Sequence, residues 1–108
     1  QYIALRVSKD WDVNNNCVLV VGATHPVELK SVRQLVGDGF PLLVPGYGAQ
    51  GGDLNSILKY GMDSNYEGVI INESSSVMYA SPGEDCFEAA AARAKASSEA
   101  FRTASVLV

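Results

Sequence analysis

FPLLV (residues 40–44) runs straight into PGYGAQGGD (45–53), and this junction decides how the chain reads. The first part is a short, continuous apolar run, the pattern of a buried strand in a parallel sheet. The second holds four glycines and a proline in nine residues, too many for a helix or a strand. Bare backbone is therefore wanted at the carboxyl end of a strand. Asp53 then suits the N-cap of a helix LNSILKY (54–60), which Gly61 closes. Glycines in such a place let backbone N–H groups approach a ligand closely, and the helix start beyond adds its positive end. Together they make an anion site, most often for phosphate. The loop lacks the Gly-Lys-Ser/Thr ending of a P-loop, and its spacing also suits a tight turn with glycine caps.

Outward from the junction the same alternation continues. CVLVVGA (17–23) is another valine-rich apolar run, suited to a strand buried on both faces. Thr24 can cap the next helix and Pro26 suits its first turn; Leu29, Val32, Leu35 and Val36 make its stripe, and Gly37 ends it. Ahead of this, Ile3, Val7 and Trp11 fall four apart, which predicts an opening helix with one apolar face before the polar turn DVNNN (12–16). On the other side GVIIN (68–72) is a third strand. A last, alanine-rich helix runs from about Glu84 to Arg102, with Phe87, Ala91, Ala94, Ser98 and Phe101 along one side. The apolar tail SVLV (105–108) is assigned to no element.

The order α-β-α-β-α-β-α requires parallel strands joined by right-handed crossovers. Helices can cover both faces of such a sheet, but its two edges stay open and invite association. A (β/α)8 barrel takes roughly 250 residues, and three β/α units with a leading helix take about the length of this chain. The 108 residues therefore look like one portion, without a second domain, of a larger α/β fold.

Composition narrows the function. With 47% hydrophobic and 19% charged residues and a net charge of -4, the chain suits a soluble domain and not a nucleic-acid surface. Its apolar runs are far shorter than the roughly 18 residues of a membrane span, and QYIALRVSKDW at the start is not a secretory signal. Cys17 and Cys86, without metal-type spacing, read as free thiols of a reducing compartment, and one histidine with no Cys/His cluster argues against a zinc site.

Three strings narrow it further: VVGATHPVELKSVR (20–33), PLLVPGYGAQGGDL (41–54) and GVIINESSSVMYAS (68–81). They closely resemble the C-terminal part of the orotidine 5′-phosphate decarboxylase family, above all the group reading VVGAT-P-EL, PG-GAQGGD and IINSSR-I-YA. The resemblance extends from Cys17 to about Ala92. It implies a (β/α)8 TIM barrel of which these are strands six, seven and eight, in agreement with the binding of phosphate after strands seven and eight of such barrels. It implies further that Gln50 reaches over a bound nucleotide, linking phosphate and pyrimidine. The backbone around Gln50, Gly51 and Gly52 would bind the phosphate, Pro45 would pack near the base, and Ser74 and Ser75 would form the second phosphate-binding element. Asp53 is expected to cap its helix and His25 to be a surface turn residue; Tyr47 either lines the pocket mouth or covers apolar surface. The implied activity is decarboxylation of orotidine 5′-monophosphate to UMP in pyrimidine biosynthesis, in the cytoplasm, by a homodimer with no metal or organic cofactor.

Two departures bear on that expectation. The family usually carries an arginine where this chain has Ser75, and Glu73, two residues before, should weaken anion binding. The family's alternating Lys-Asp-Lys-Asp array, with its D-x-K-x-x-D motif, is missing; Lys9, Lys30, Lys59 and Lys95 all fall in predicted helices. Decarboxylation without a cofactor needs a cation for the developing carbanion, so no catalytic residue is assigned in this chain. The sequence accordingly supports either the phosphate-binding half of a decarboxylase, completed by the N-terminal part of the barrel, or a non-catalytic half-barrel that binds phosphate or associates with another chain. A doubly wound nucleotide-binding domain fits the βα order but would need a different loop.

Overall fold

Three short strands pair side by side in chain order, all parallel: β1 (Leu19–Val20), β2 (Leu42–Pro45) and β3 (Val69–Asn72). The computed structural model of the chain describes residues 1–48 and 50–106. Around the strands lie α1 (Tyr2–Arg6), continued by a π-helical turn Val7–Trp11, then α2 (Pro26–Val36), α3 (Leu54–Gly61), α4 (Ser75–Met78) and α5 (Cys86–Val106). Register aligns Leu19 with Leu42 and Val69, and Val20 with Leu43 and Ile70.

That register sorts the side chains. Leu19, Leu42, Val44, Val69 and Ile71 point to the face carrying the core, where they meet Leu29 and Val32 of α2 and Ile57 of α3. Leu29, Leu42, Val44, Ile57 and Leu58 are almost wholly buried, each contributing about 1.5–3 kcal/mol. The opposite face is bare: Val20 is 65% and Ile70 54% exposed. The expectation that helices cover both faces, and that the apolar runs are buried twice, is thus corrected. One-sided layering is what a barrel segment requires, since its helices form an outer ring and its inner face is filled by the other strands. It also disposes of a doubly wound domain, whose helices cover both faces. The loop alone would not have done so, because Gly46, Gly48 and Gly51 do stand at the G-x-G-x-x-G spacing.

Elsewhere local chemistry sets the boundaries. β1 is shorter than the run 17–23 because the Cys17 N–H donates to Asp12 Oδ1 (2.8 Å), which also takes the Asn16 N–H (2.8 Å). Beyond Val20 the ladder continues as single bonds, Val21 N–H to Leu43 O (2.9 Å) and Ala23 N–H to Pro45 O (2.8 Å). Both cysteines are free thiols. Pro26 opens α2 as expected, but the N-cap is His25, with no side-chain capping bond, and Thr24 lies in the preceding turn. Asp53 caps α3 by accepting the Ser56 N–H at 2.9 Å.

Two helical stripes were misplaced. In α1 the buried residue is Ala4, while Ile3 and Trp11 are exposed. In α5, Phe87 is 83% exposed, and Ala91 and Ala94 are exposed as well, while Ser98, also exposed, borders a cavity under the helix. The sheltered side runs through Cys86, Ala89, Ala90, Arg93, Ser97 and Phe101, one residue out of step with the expected stripe except at Phe101. Alanine promotes a helix without choosing its buried face; here an ion pair made by Arg93 (below) turns it.

The amino ends of the strands are tied by Arg33, which is buried on α2. Its Nε donates to Gly61 O (2.7 Å), Nη1 to Phe40 O (2.7 Å) and Gly37 O (2.9 Å), and Nη2 to Gly68 O (2.8 Å). Burial pushes this guanidinium down from its ordinary value, and Asp63 and Asp38 pull it back. Asp63, itself buried, accepts the N–H groups of Glu67 (3.0 Å), Gly39 (3.0 Å) and Asn65 (2.9 Å), which hold its carboxyl below the usual range.

Candidate functional site: a cleft at the carboxyl ends of two strands

At the other end of the sheet β2 and β3 each release the chain into a loop, and the two loops face one another. β2 ends on Pro45, whose register partner is Asn72, the last residue of β3. Between them lies a small cleft of about 60 Å³, with Pro45, Gly46 and Gln50 on one wall and Asn72, Ser74 and Ser75 on the other. Four of the six residues expected at a nucleotide phosphate, Pro45, Gln50, Ser74 and Ser75, are therefore brought together. Ser74 Oγ donates to Asn72 Oδ1 (3.2 Å), and the exposed Ser75 opens the one-turn helix α4.

Gly51 and Gly52 do not line that cleft. Their N–H groups are engaged within the loop, Gly51 N–H with Gly48 O (2.9 Å) and Gly52 N–H with Gly46 O (3.0 Å). Gly52 has a packing reason as well: a Cβ there would stand 2.5 Å from both Ala23 Cβ and Gly46 O, closer than atoms can approach. Gly48, at φ +79°, rests on another group; a Cβ there would meet Ser76 Oγ at 3.2 Å, Glu73 Oε1 at 3.3 Å and Arg93 Nη2 at 3.5 Å. Bare backbone thus has a packing reason at both positions, with Ala23 and Gly46 too near at Gly52 and Ser76 and Glu73 near at Gly48, where the positive φ also favours glycine.

Glu73 was expected to oppose an anion. It follows Asn72 but points the other way, toward α5, and its side chain is only 8% exposed. Its Oε1 accepts Arg93 Nε (2.9 Å), Arg93 Nη2 (2.7 Å) and Ser76 Oγ (2.6 Å). Burial acts to raise this carboxyl's pKa, but the Ser76, Ser97 and Arg93 side chains outweigh it and hold the group below its ordinary value. The Ser97 hydroxyl is buried beside this group without completing a hydrogen bond of ordinary geometry. The Glu73 charge is thus neutralised and turned away from the cleft.

Neither Arg93 nor Ser76 was singled out from sequence. Glu73 and Arg93 are twenty residues apart, beyond any local pattern. Tyr47 proves to do both things considered for it: it borders the cleft and packs against the core, walling an apolar cavity of about 260 Å³ beneath α5. His25 is exposed at the start of α2, as expected of a turn residue. Lys9, Lys30, Lys59 and Lys95 lie on helices or the π-helical turn, none at the carboxyl end of a strand. Among the described residues no group of three or more His, Cys, Asp or Glu side chains could hold a metal ion, and no helix is long and apolar enough to cross a membrane.

Comparison with known proteins shows what the chain as a whole resembles. No protein-family model matches the chain. Over 94 residues, 87% of its length, it is 51% identical to orotidine 5′-phosphate decarboxylase of Bordetella avium, and over 92 residues 50% identical to that of Cellvibrio japonicus. It spans about a third of these curated relatives, 35% and 33% of their lengths. Among solved structures, OMP decarboxylase of Leishmania donovani superimposes with a TM-score of 0.76 at 33% identity, covering 97% of this chain and 38% of its own. UMP synthase of the same organism gives 0.76 at 38% identity, covering 94% of this chain and 22% of its own. In sequence and in fold, the chain belongs with the orotidine 5′-phosphate decarboxylases and corresponds to the C-terminal part of their barrel.

Proposed function

We propose that this chain supplies the phosphate-binding half of an orotidine 5′-phosphate decarboxylase site, in a cytoplasmic homodimer that needs no metal or organic cofactor. The observation that carries the reading is the cleft at the ends of β2 and β3, which gathers Pro45, Gln50, Ser74 and Ser75 from segments far apart in sequence. Gln50 and the two serine hydroxyls offer polar groups from facing walls, and Pro45 offers an apolar edge for a pyrimidine. The amides of Gly51 and Gly52 join a bound phosphate only by leaving Gly48 O and Gly46 O, so binding on this reading rearranges the loop.

Loss of CO2 from orotidine 5′-monophosphate breaks a carbon–carbon bond and leaves the electron pair on the ring, where a nearby cation must stabilise it and a proton must replace the carboxyl. The strand ends described here carry no lysine to do this. The chemistry falls to the remaining two thirds of the barrel, and this chain alone is expected to be inactive. A preparation of verified 11.5 kDa mass, free of host enzyme, should give no UMP. Combination with a polypeptide spanning the preceding strands of a relative should restore turnover. Turnover by the chain alone, or none after combination, would overturn the reading.

The second reading, a non-catalytic half-barrel that binds phosphate or associates with another chain, draws on Ser75 and on the bare apolar face at Val20 and Ile70. A D-x-K-x-x-D segment in the parent gene or in a companion chain distinguishes the two.

A further inference from the structure

We propose that Glu73 is a positioning residue that ties both walls of the cleft to α5. The proposal rests on the phosphate-binding reading above and adds a residue that touches no ligand. A single oxygen, Oε1, connects three elements. Arg93 on α5 grips it through Nε and Nη2. Ser76, one residue beyond Ser75 in α4, donates to it. Gly48 of the glycine loop packs beside it, so near that a methyl group there would stand 3.3 Å from Glu73 Oε1 and 3.2 Å from Ser76 Oγ.

From Gly48 the connection reaches the cleft directly. Gly48 O accepts the Gly51 N–H, closing the turn that presents Gln50; from Ser76 it reaches the adjoining Ser75 and Ser74. The spacing between Gln50 on one wall and the serine hydroxyls on the other is therefore set from behind by one ion pair. Arg93 is the suitable cation for this. Its planar fork places two donors on one oxygen, which a lysine cannot reproduce, and the pair is sheltered on the Glu73 side, where screening by salt is weak.

The proposal predicts an effect on phosphate recognition without a comparable effect on the rest of the nucleotide. The test uses a complete barrel in which the 94 aligned residues of this chain replace their counterparts in the Bordetella avium enzyme. UMP and uridine are titrated into the graft and into its Glu73→Gln variant, which keeps size and shape. UMP affinity should fall about tenfold, the equivalent of ~1.4 kcal/mol, with uridine affinity unchanged. Ser76→Ala releases only the serine wall and keeps the ion pair, so it should give a smaller loss of the same kind and guards against misfolding of the first variant. A merely structural role would lower the melting temperature and move both ligands together, or neither. Equal losses for UMP and uridine, or unchanged UMP affinity in both variants, would overturn the positioning role alone. Failure of the unsubstituted graft to bind UMP would instead overturn the phosphate-binding reading, and the positioning role with it.

Discussion

Arg33→Met is the severest test of how the sheet is held at its amino end. Arg33 donates to four carbonyls, and the bonds to Gly61 O and Phe40 O are buried while those to Gly37 O and Gly68 O are partly open to water. Methionine keeps most of the side-chain volume and removes all the donors. The two open carbonyls can turn to solvent; the two buried ones cannot. Each buried acceptor left unpaired costs about 1–3 kcal/mol, so the substitution should cost roughly 2–6 kcal/mol. Against the ~5–15 kcal/mol that holds an ordinary domain together, that is a large share. Arg33→Lys should cost about half as much, since three donors on one nitrogen cannot reach acceptors spread around a planar fork. Urea unfolding of the 108-residue chain, followed by far-ultraviolet circular dichroism, measures both variants; the midpoint should fall with the slope unchanged. A loss under about 0.5 kcal/mol for Arg33→Met, the range of a neutral surface change, would refute the reasoning.

Ser75→Arg should tighten UMP binding of the grafted barrel about tenfold by adding a charge-assisted contact worth ~1.4 kcal/mol, with little change for uridine and a smaller gain at high salt; calorimetric titration of both ligands checks it. Gly52→Ala places a methyl 2.5 Å from Ala23 Cβ and Gly46 O; forcing the loop aside should cost about 1–3 kcal/mol and abolish the UMP-induced amide shifts of Gln50 and Gly51 in the same graft. Asp63 is held below its ordinary pKa by backbone N–H donors, so its contribution is complete above the unfolded-state value near 3.8 and is lost as pH falls through the lower folded value. Asp63→Asn should therefore flatten the acid limb of the stability curve below about pH 4, read from urea midpoints at a series of pH values.

Much of this architecture lies open in the letters because it follows from short-range chemistry. Apolar runs bounded by turn residues mark β2 and β3 to within two residues, Pro26 opens α2, and Asp53 finds the Ser56 N–H three residues on. The string PGYGAQGGD places a glycine loop at a strand end whatever the rest of the molecule does. The likeness to the decarboxylases rests on the same local strings. What no local window contains is the choice of face. A run such as CVLVV is apolar on both sides, so only pairing and layering reveal that Leu19 is covered and Val20 is bare.

The alanine-rich α5 has the propensity to be a helix but no stripe strong enough to orient it, and a contact across twenty residues settles the matter by turning Arg93 inward to Glu73. The same contact reverses the reading of Glu73, from a charge that repels an anion to one neutralised behind the cleft. Arg33 reaches Gly68 across thirty-five residues, and its role exists only once α2, α3 and the strand ends converge. Propensity, capping and turn chemistry act over three or four residues and are written in sequence. Burial of a charge depends on which distant carbonyls and carboxylates arrive beside it, and only the folded chain decides that.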